Sequence, residues 1–79
     1  MIIVYAIKSR IKDWIYVGQT NDLDRRLSEH NSGLNKSTKP YAPFDLIFQE
    51  EHPNREAARI REKYFKTASG KRKIRMQMK

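Results

Sequence analysis

Apolar residues cluster along this chain with two different periods. Ile2–Ile7 is a β-branched run that includes Tyr5, and Trp14–Val17 is a shorter one that includes Tyr16. Both have strand composition. Lys8–Asp13, between them, is too short for a helix, so a hairpin joins the two strands. Setting Lys8 opposite Asp13 makes an opposite-charge pair at the turn and puts Tyr5 opposite Tyr16. Directly opposed side chains share a face, with Cβ atoms about 5 Å apart.

Beyond Gly18 the period lengthens. Asn21 is placed to cap a helix, Asp22 and Asp24 complement its dipole, and Gly33 stops it. Around the helix axis from Leu23, Arg26 falls at roughly 300° and His30 at roughly 340°, flanking Leu27 at roughly 40°. Arg26 and His30 therefore lie on the sheet-facing side. Ser32–Pro43, with Gly33, Pro40 and Pro43, reads as a loop, and Phe44–Glu50 as a third strand. Asn54, just after Pro53, caps a second helix. Its expected buried stripe is Ala57, Ile60, Tyr64, Phe65 and Ala68, with Glu62 on the border. Ser69-Gly70 is a break. The remainder, Lys71–Lys79, is a short basic helix or a frayed end, and Ile74, Met76 and Met78 give it little to bury.

The order is ββαβα. It predicts an α+β fold, a small three-stranded antiparallel sheet flanked by helices. The expected division is one domain over residues 1–70 and a basic tail over 71–79. Seventy-nine residues allow only a modest core. With no cysteine, neither a disulfide framework nor a thiolate metal site is open to the chain. The longest apolar run is far below the roughly 18–20 residues of a membrane span, and no secretory leader is recognisable. A soluble cytoplasmic protein, monomeric by default, is expected.

Charge adds a direction. The formal net charge is +8, and six of the seventeen basic residues fall after Phe65, where no acid is present. Residues 1–65 hold the other eleven basic groups and all nine acidic ones, or +2. A tail this basic points to a polyanion. The site chemistry agrees. Phosphodiester cleavage needs an activated water, neutralisation of a developing dianion and help for the leaving oxygen. A phenol relieved of its proton can serve as base. Arginine clamps phosphate oxygens through paired N–H groups, and a lone carboxylate can anchor Mg²⁺, which keeps most of its waters.

Tyr5 within Ile3-Val4-Tyr5-Ala6, followed after ten residues by Tyr16-Val17-Gly18, resembles the double motif of the GIY-YIG nuclease superfamily. That superfamily includes the incision domain of bacterial excision repair and some homing and restriction endonucleases. Arg26 stands eight residues after the motif glycine, His30 four residues further on, and Glu62 on the later helix, as in that superfamily. The likeness spans residues 2 to about 70 and is closest to small stand-alone bacterial members. It implies that one of Tyr5 and Tyr16 activates the water, with Tyr16 preferred, and that the other orients it or the phosphate. Arg26 would hold the scissile phosphate, Glu62 one Mg²⁺ or Mn²⁺, and His30 would contact the phosphate or assist proton transfer. Ile3 replaces the first motif glycine. Gln19 stands where many active members carry a basic residue, and the role of a late asparagine is empty or filled by Gln77.

The first reading is thus a metal-dependent endonuclease acting on DNA in preference to RNA, with target choice left to a partner protein. The second is a non-catalytic nucleic-acid-binding module. Gly18, Gln19, Lys36, Lys39, Arg55, Arg59, Lys71, Arg72 and Lys73 are the expected nucleic-acid contacts. A third reading, a structural interaction protein unrelated to nucleic acid, has the least support.

Overall fold

The computed structural model describes residues 1–77; Met78 and Lys79 of the expected tail lie outside the described residues. Three strands, β1 (Ile2–Ser9), β2 (Ile15–Thr20) and β3 (Phe44–His52), form an antiparallel sheet in the order β2-β1-β3. Three helices accompany it: α1 (Leu23–Asn31), α2 (Arg55–Phe65) and α3 (Ala68–Gln77), with a single 3₁₀ turn at Lys39–Tyr41. The expected α+β class and antiparallel three-stranded sheet are present, and α3 extends the expected order to ββαβαα.

Strand alternation divides the core in two. Val4, Ala6, Ile15 and Val17 face α2 and α3, packing on Ala58, Phe65 and Ile74. Tyr5, Ile7 and Tyr16 face the other way, against Leu23, Leu27, Tyr41 and Phe44. The sheet is therefore covered on both sides, and β1, central to it, is the most deeply buried strand.

The hairpin register differs from expectation by two residues. Tyr5 pairs with Gly18 and Ile7 with Tyr16. The turn is built by Ser9, whose hydroxyl accepts the backbone N–H groups of Ile11 and Lys12 at 3.2 and 3.1 Å. Its own N–H donates to the Trp14 carbonyl at 3.0 Å. Asp13 does not face Lys8; it accepts from Arg75 of α3 at 2.8 Å. Because side chains alternate with period two, an even shift leaves every residue on its expected face. Tyr5 and Tyr16 still share a face, as diagonal neighbours.

Helix α1 begins one residue later than its sequence suggested. The Thr20 hydroxyl accepts the Asp22 N–H at 3.1 Å, which holds Asn21 in the turn, and Asp22 then caps the helix by accepting from the Arg25 N–H at 3.1 Å. At the other end Gly33 has φ 78°, its N–H donates to His30, and the Leu34 N–H reaches back to Glu29. These paired bonds are a Schellman ending. The Asn31 side-chain oxygen accepts the Phe44 N–H at 2.7 Å, tying the end of α1 to the start of β3.

The stripe expected on α2 is displaced. Ala58 and Phe65 are buried, whereas Ile60 is 71% exposed and Tyr64 points outward. Arg61 fills the middle of the true stripe, its guanidinium 4.8 Å from the Phe65 ring centroid and paired with Glu50 at 2.7 Å. Ser69-Gly70 is no break. The chain turns at Lys66 and Thr67, whose hydroxyl accepts the Gly70 N–H at 3.0 Å and so caps α3. Ile74, expected to bury little, is wholly buried in the core.

Candidate active site

Tyr5 reaches from the central strand across the face of β2 and lies over Gly18. A Cβ built on Gly18 would come within 2.8 Å of the Tyr5 hydroxyl and 3.0 Å of the Tyr16 ring, so the residue paired with Tyr5 has to be the one without a side chain. The Tyr5 and Tyr16 ring centroids are 6.4 Å apart, and each ring is also within 6 Å of the His30 ring. Tyr5 is almost fully buried and Tyr16 partly exposed.

His30, on the inner face of α1, is also fully buried. Its Nε2 lies 2.9 Å from the Tyr5 hydroxyl and its Nδ1 2.9 Å from the Thr38 hydroxyl. With both nitrogens engaged, His30 can act on a substrate only through Tyr5. Burial and the nearby Arg26 cation hold its pKa below the ordinary value, so it is neutral at neutral pH. Burial also pushes the Tyr5 phenol up to about 12, against the opposing pull of the Arg26 guanidinium at its oxygen. The Tyr16 phenol and the Glu62 carboxylate push it further in the same direction.

Arg26 is one helical turn before His30, and its stem runs along the same face. The guanidinium donates to Glu29 at 3.0 Å, and its charge draws the Tyr5 pKa down against the effect of burial. Desolvation alone would lower its pKa, but Glu29 and Tyr5 outweigh it, so the cation is firmly held. Arg26, Glu29, Leu34 and Asn35 line a cavity of about 360 Å³ that opens beside this cation.

Glu62 stands apart from the other four candidate residues, which lie on the α1 side of the sheet. Gln19 has the same parity as Val17 and so points toward α2, where its side-chain amide donates to Glu62 at 2.8 Å. The other carboxylate oxygen accepts from Lys66 at 2.9 Å. Glu62 is thus held at the β2 edge from the opposite face, not turned to bulk water: its side chain is 17% exposed. Desolvation raises its pKa, and the bonds from Lys66 and Gln19 lower it by more, so it stays ionised. Its charge is felt at the Tyr5 phenol.

A divalent cation can be tested against this donor set. No group of three or more His, Cys, Asp or Glu side chains that could hold a metal occurs among the described residues. A dedicated protein cage is therefore not built. One ionised, half-buried carboxylate does fit an ion of the Mg²⁺ type, which takes one or two carboxylates and fills its shell with water and substrate oxygens. Such an ion would compete with Lys66 for Glu62.

Of the expected nucleic-acid contacts, Gly18 lies beneath Tyr5 and offers no side chain, and Gln19 is engaged on both sides. Its amide oxygen accepts from Arg55 at 3.3 Å. Arg59 is near enough for its charge to help hold Glu62 ionised. Lys36 and Lys39 are exposed on the loop that carries Thr38, and Arg72 and Lys73 on α3, where Lys71 is partly covered. Two residues of the site had no place in the sequence argument: Thr38, and Glu29 as partner of Arg26. Glu29 did carry a signal, the i, i+3 spacing of opposite charges on one helix, and Lys66 is the i, i+4 partner that the sequence offers Glu62 beside Arg59.

The family model for the GIY-YIG catalytic domain matches residues 1–75. The chain belongs to the GIY-YIG family. This nuclease-type family is one whose domain implies an interaction with nucleic acid. The GIY-YIG chain is similar to the UPF0213 protein YazA of Bacillus subtilis (strain 168), 40% identical over 87% of this chain and 70% of that protein. It is also similar to a UPF0213 protein of Streptococcus sanguinis (strain SK36), at 38% over 76% and 70% of the two chains. UPF0213 protein CPE1444 of Clostridium perfringens (strain 13 / Type A) is 32% identical over 92% and 78%. No solved structure matches the chain. Among the described residues no helix is long and apolar enough to cross a membrane.

Proposed function

We propose that this chain is a divalent-metal-dependent endonuclease that hydrolyses phosphodiester bonds, in DNA by preference. The observation that carries the reading is geometric. Tyr5, Tyr16 and His30 pack ring to ring above Gly18, with Arg26 one turn before His30 on α1, and Gln19 ties Glu62 to β2, the strand that carries Tyr16 and Gly18. A cation for the developing charge, phenols for the water and a carboxylate able to hold a divalent ion are the groups that displacement at phosphorus calls for.

In this mechanism Arg26 exchanges Glu29 for a non-bridging phosphate oxygen and stabilises the charge that develops there. Tyr16, the more open phenol, faces the attacking water and, having given its own proton to bulk water, takes the proton of the attacking water as its phenolate. Tyr5, closed in by His30 and Gly18, holds the guanidinium from behind. Glu62 is the residue that would hold Mg²⁺ or Mn²⁺, whose chemistry when bound is to neutralise the leaving oxygen. Gln19 keeps that carboxylate turned to the β2 edge. Arg55, Arg59 and the exposed lysines of the loop and α3 supply the sequence-independent attraction to phosphate. The preference for DNA rests on family resemblance, and a partner protein would choose the target.

Nicking of supercoiled plasmid tests this. Wild type is expected to nick weakly with Mg²⁺ or Mn²⁺ and not in EDTA. Arg26→Ala should lose at least about 100-fold, the scale of removing one donor to a developing oxyanion, and Glu62→Gln should lose all metal-dependent activity. Equal trace activity in wild type and Glu62→Gln would refute the nuclease. A second reading then takes over, a binding module of the same fold. It is favoured by the internal pairing of Arg26 with Glu29 and of Glu62 with Lys66, and it predicts unchanged plasmid retention in both variants.

A further inference from the structure

The buried hydrogen bonds behind Arg26 have a direction, and Thr38 sets it. A neutral imidazole has one donor and one acceptor nitrogen. Both neighbours of the His30 ring are hydroxyls, Thr38 at Nδ1 and Tyr5 at Nε2, so either tautomer could satisfy that pair alone. The Asn35 end removes the choice. The Thr38 hydroxyl donates to the Asn35 carbonyl at 3.3 Å, and that carbonyl can only accept. The Thr38 proton therefore goes to Asn35, the His30 Nδ1–H to Thr38, and the Tyr5 proton to His30 Nε2. The reverse polarity would take the Thr38 proton from Asn35 and leave the buried Tyr5 proton without an acceptor, since its hydroxyl bonds to His30 alone.

We infer that Thr38 is a positioning residue: by accepting from His30 Nδ1 it fixes the tautomer that draws the Tyr5 proton inward, leaving Tyr5 to offer Arg26 only lone pairs. This deepens the nuclease reading and rests on it for its catalytic meaning, because an Arg26 held from behind is ready for a phosphate in front. Thr38 is itself fully buried and does not approach the substrate side. Its geometry is set by the α1 ending and by the 3₁₀ turn that follows it, where the Tyr41 N–H donates to the Thr38 carbonyl at 2.9 Å.

The test is the protonation pattern of the His30 ring in the full chain, read from long-range proton–nitrogen NMR correlations at pH 7.5. The sequence has two histidines, His30 and His52, so a His52→Gln background leaves one set of signals. The parent protein should show Nδ1 protonated and Nε2 bare. Thr38→Val keeps the shape but removes the acceptor, and should move the proton to Nε2. Thr38→Ser should restore the parent pattern. Nicking should fall roughly 10-fold in Thr38→Val, the scale of one lost hydrogen bond, and return in Thr38→Ser. An Nε2-protonated ring in the parent, or an unchanged pattern in Thr38→Val, overturns the inference. If Thr38→Val does not fold, the parent and Thr38→Ser spectra still decide the polarity. Parent protein with the expected tautomer but no nicking would refute the nuclease and leave the polarity standing.

Discussion

Replacing Gly18 with alanine isolates the contact on which the two phenols depend. The added Cβ would meet the Tyr5 hydroxyl at 2.8 Å, the Tyr5 ring carbon beside it at 3.0 Å and the Tyr16 ring at 3.0 Å. An ordinary carbon contact needs 3.4 Å or more, so the Tyr5 hydroxyl has to move by roughly half an ångström. It has nowhere free to go. Tyr5 is 1% exposed, and its hydroxyl is fixed to His30 at 2.9 Å. Overpacking of this kind costs about 1–3 kcal/mol, and a strained or lost hydrogen bond about 1 kcal/mol more. For a domain of this size that lowers Tm by roughly 10 °C or more. Circular-dichroism melts at fixed protein concentration and pH measure it, with urea melts as a check. Gly33→Ala is the control. Its Cβ would meet nothing closer than the Lys39 stem at 3.4 Å, so its penalty comes from the φ of 78° alone. Both variants should be destabilised, but only Gly18→Ala should disturb the Tyr5 and His30 ring signals. A Gly18→Ala protein within about 0.5 kcal/mol of wild type, with those signals unmoved, would refute the close approach and the site built on it.

Other perturbations probe separate parts of the molecule. Gly70→Ala would put a Cβ 2.2 Å from the Tyr64 carbonyl oxygen and 2.6 Å from the Phe65 Cα. Both atoms are backbone, so α3 should be pushed off α2 at no less than the upper end of the about 1–3 kcal/mol overpacking range, read by urea melts. The neutral His30 makes stability depend on pH. Its folded pKa is depressed by burial and by Arg26, with Glu29 opposing and the Tyr5 and Tyr16 rings on the sheet side. The unfolded chain therefore binds the proton first, and stability should fall as pH drops through about 6.5. The carboxylates with depressed pKa, Asp13, Asp45, Glu50 and Glu62, lose their contribution only as pH falls through the ordinary carboxylate range and below. Tm measured between pH 7.5 and 5 should thus decline in wild type and flatten in a folded His30→Gln variant, and an equal decline in both would refute the assignment.

Faces, elements and spacing were legible in the sequence; contacts that cross elements were not. The hairpin shows why. Its register followed from Ser9, whose hydroxyl gathers two backbone donors of the turn, and from Asp13 leaving the hairpin for Arg75, sixty-two residues away. Neither is a local preference, yet the error was even, so Tyr5 and Tyr16 kept their shared face. On α2 the apolar pattern misled because Arg61 stands mid-stripe. Its cation lies on the Phe65 ring and its charge is met by Glu50 from β3, so a sheet-facing position is held by a partly exposed arginine while Ile60 is left in water. The same displacement carries Glu62 inward, from the border of the expected stripe into the true one beside Ala58 and Phe65. Reading the stripe correctly would have required knowing that Glu50 waits across the helix–sheet boundary.

Thr38 is the extreme case. It lies in a segment whose composition says only loop, with no periodicity to mark one of its hydroxyls as buried. What decides its role is the end of α1. The Gly33 reversal and the Asn31 clamp on Phe44 fold the segment back over His30, and the buried imidazole then needs an acceptor at Nδ1 that the helix itself cannot provide. The motif tyrosines, Arg26 and Glu62 mark where the chemistry is expected. The polarity of that chemistry is set one layer behind them, by a residue that local sequence has no means of singling out. A chain with every motif residue in place and an apolar residue at position 38 should therefore keep the fold and lose the orientation of Arg26. Motif spacing alone cannot make that distinction, and the His30 tautomer can.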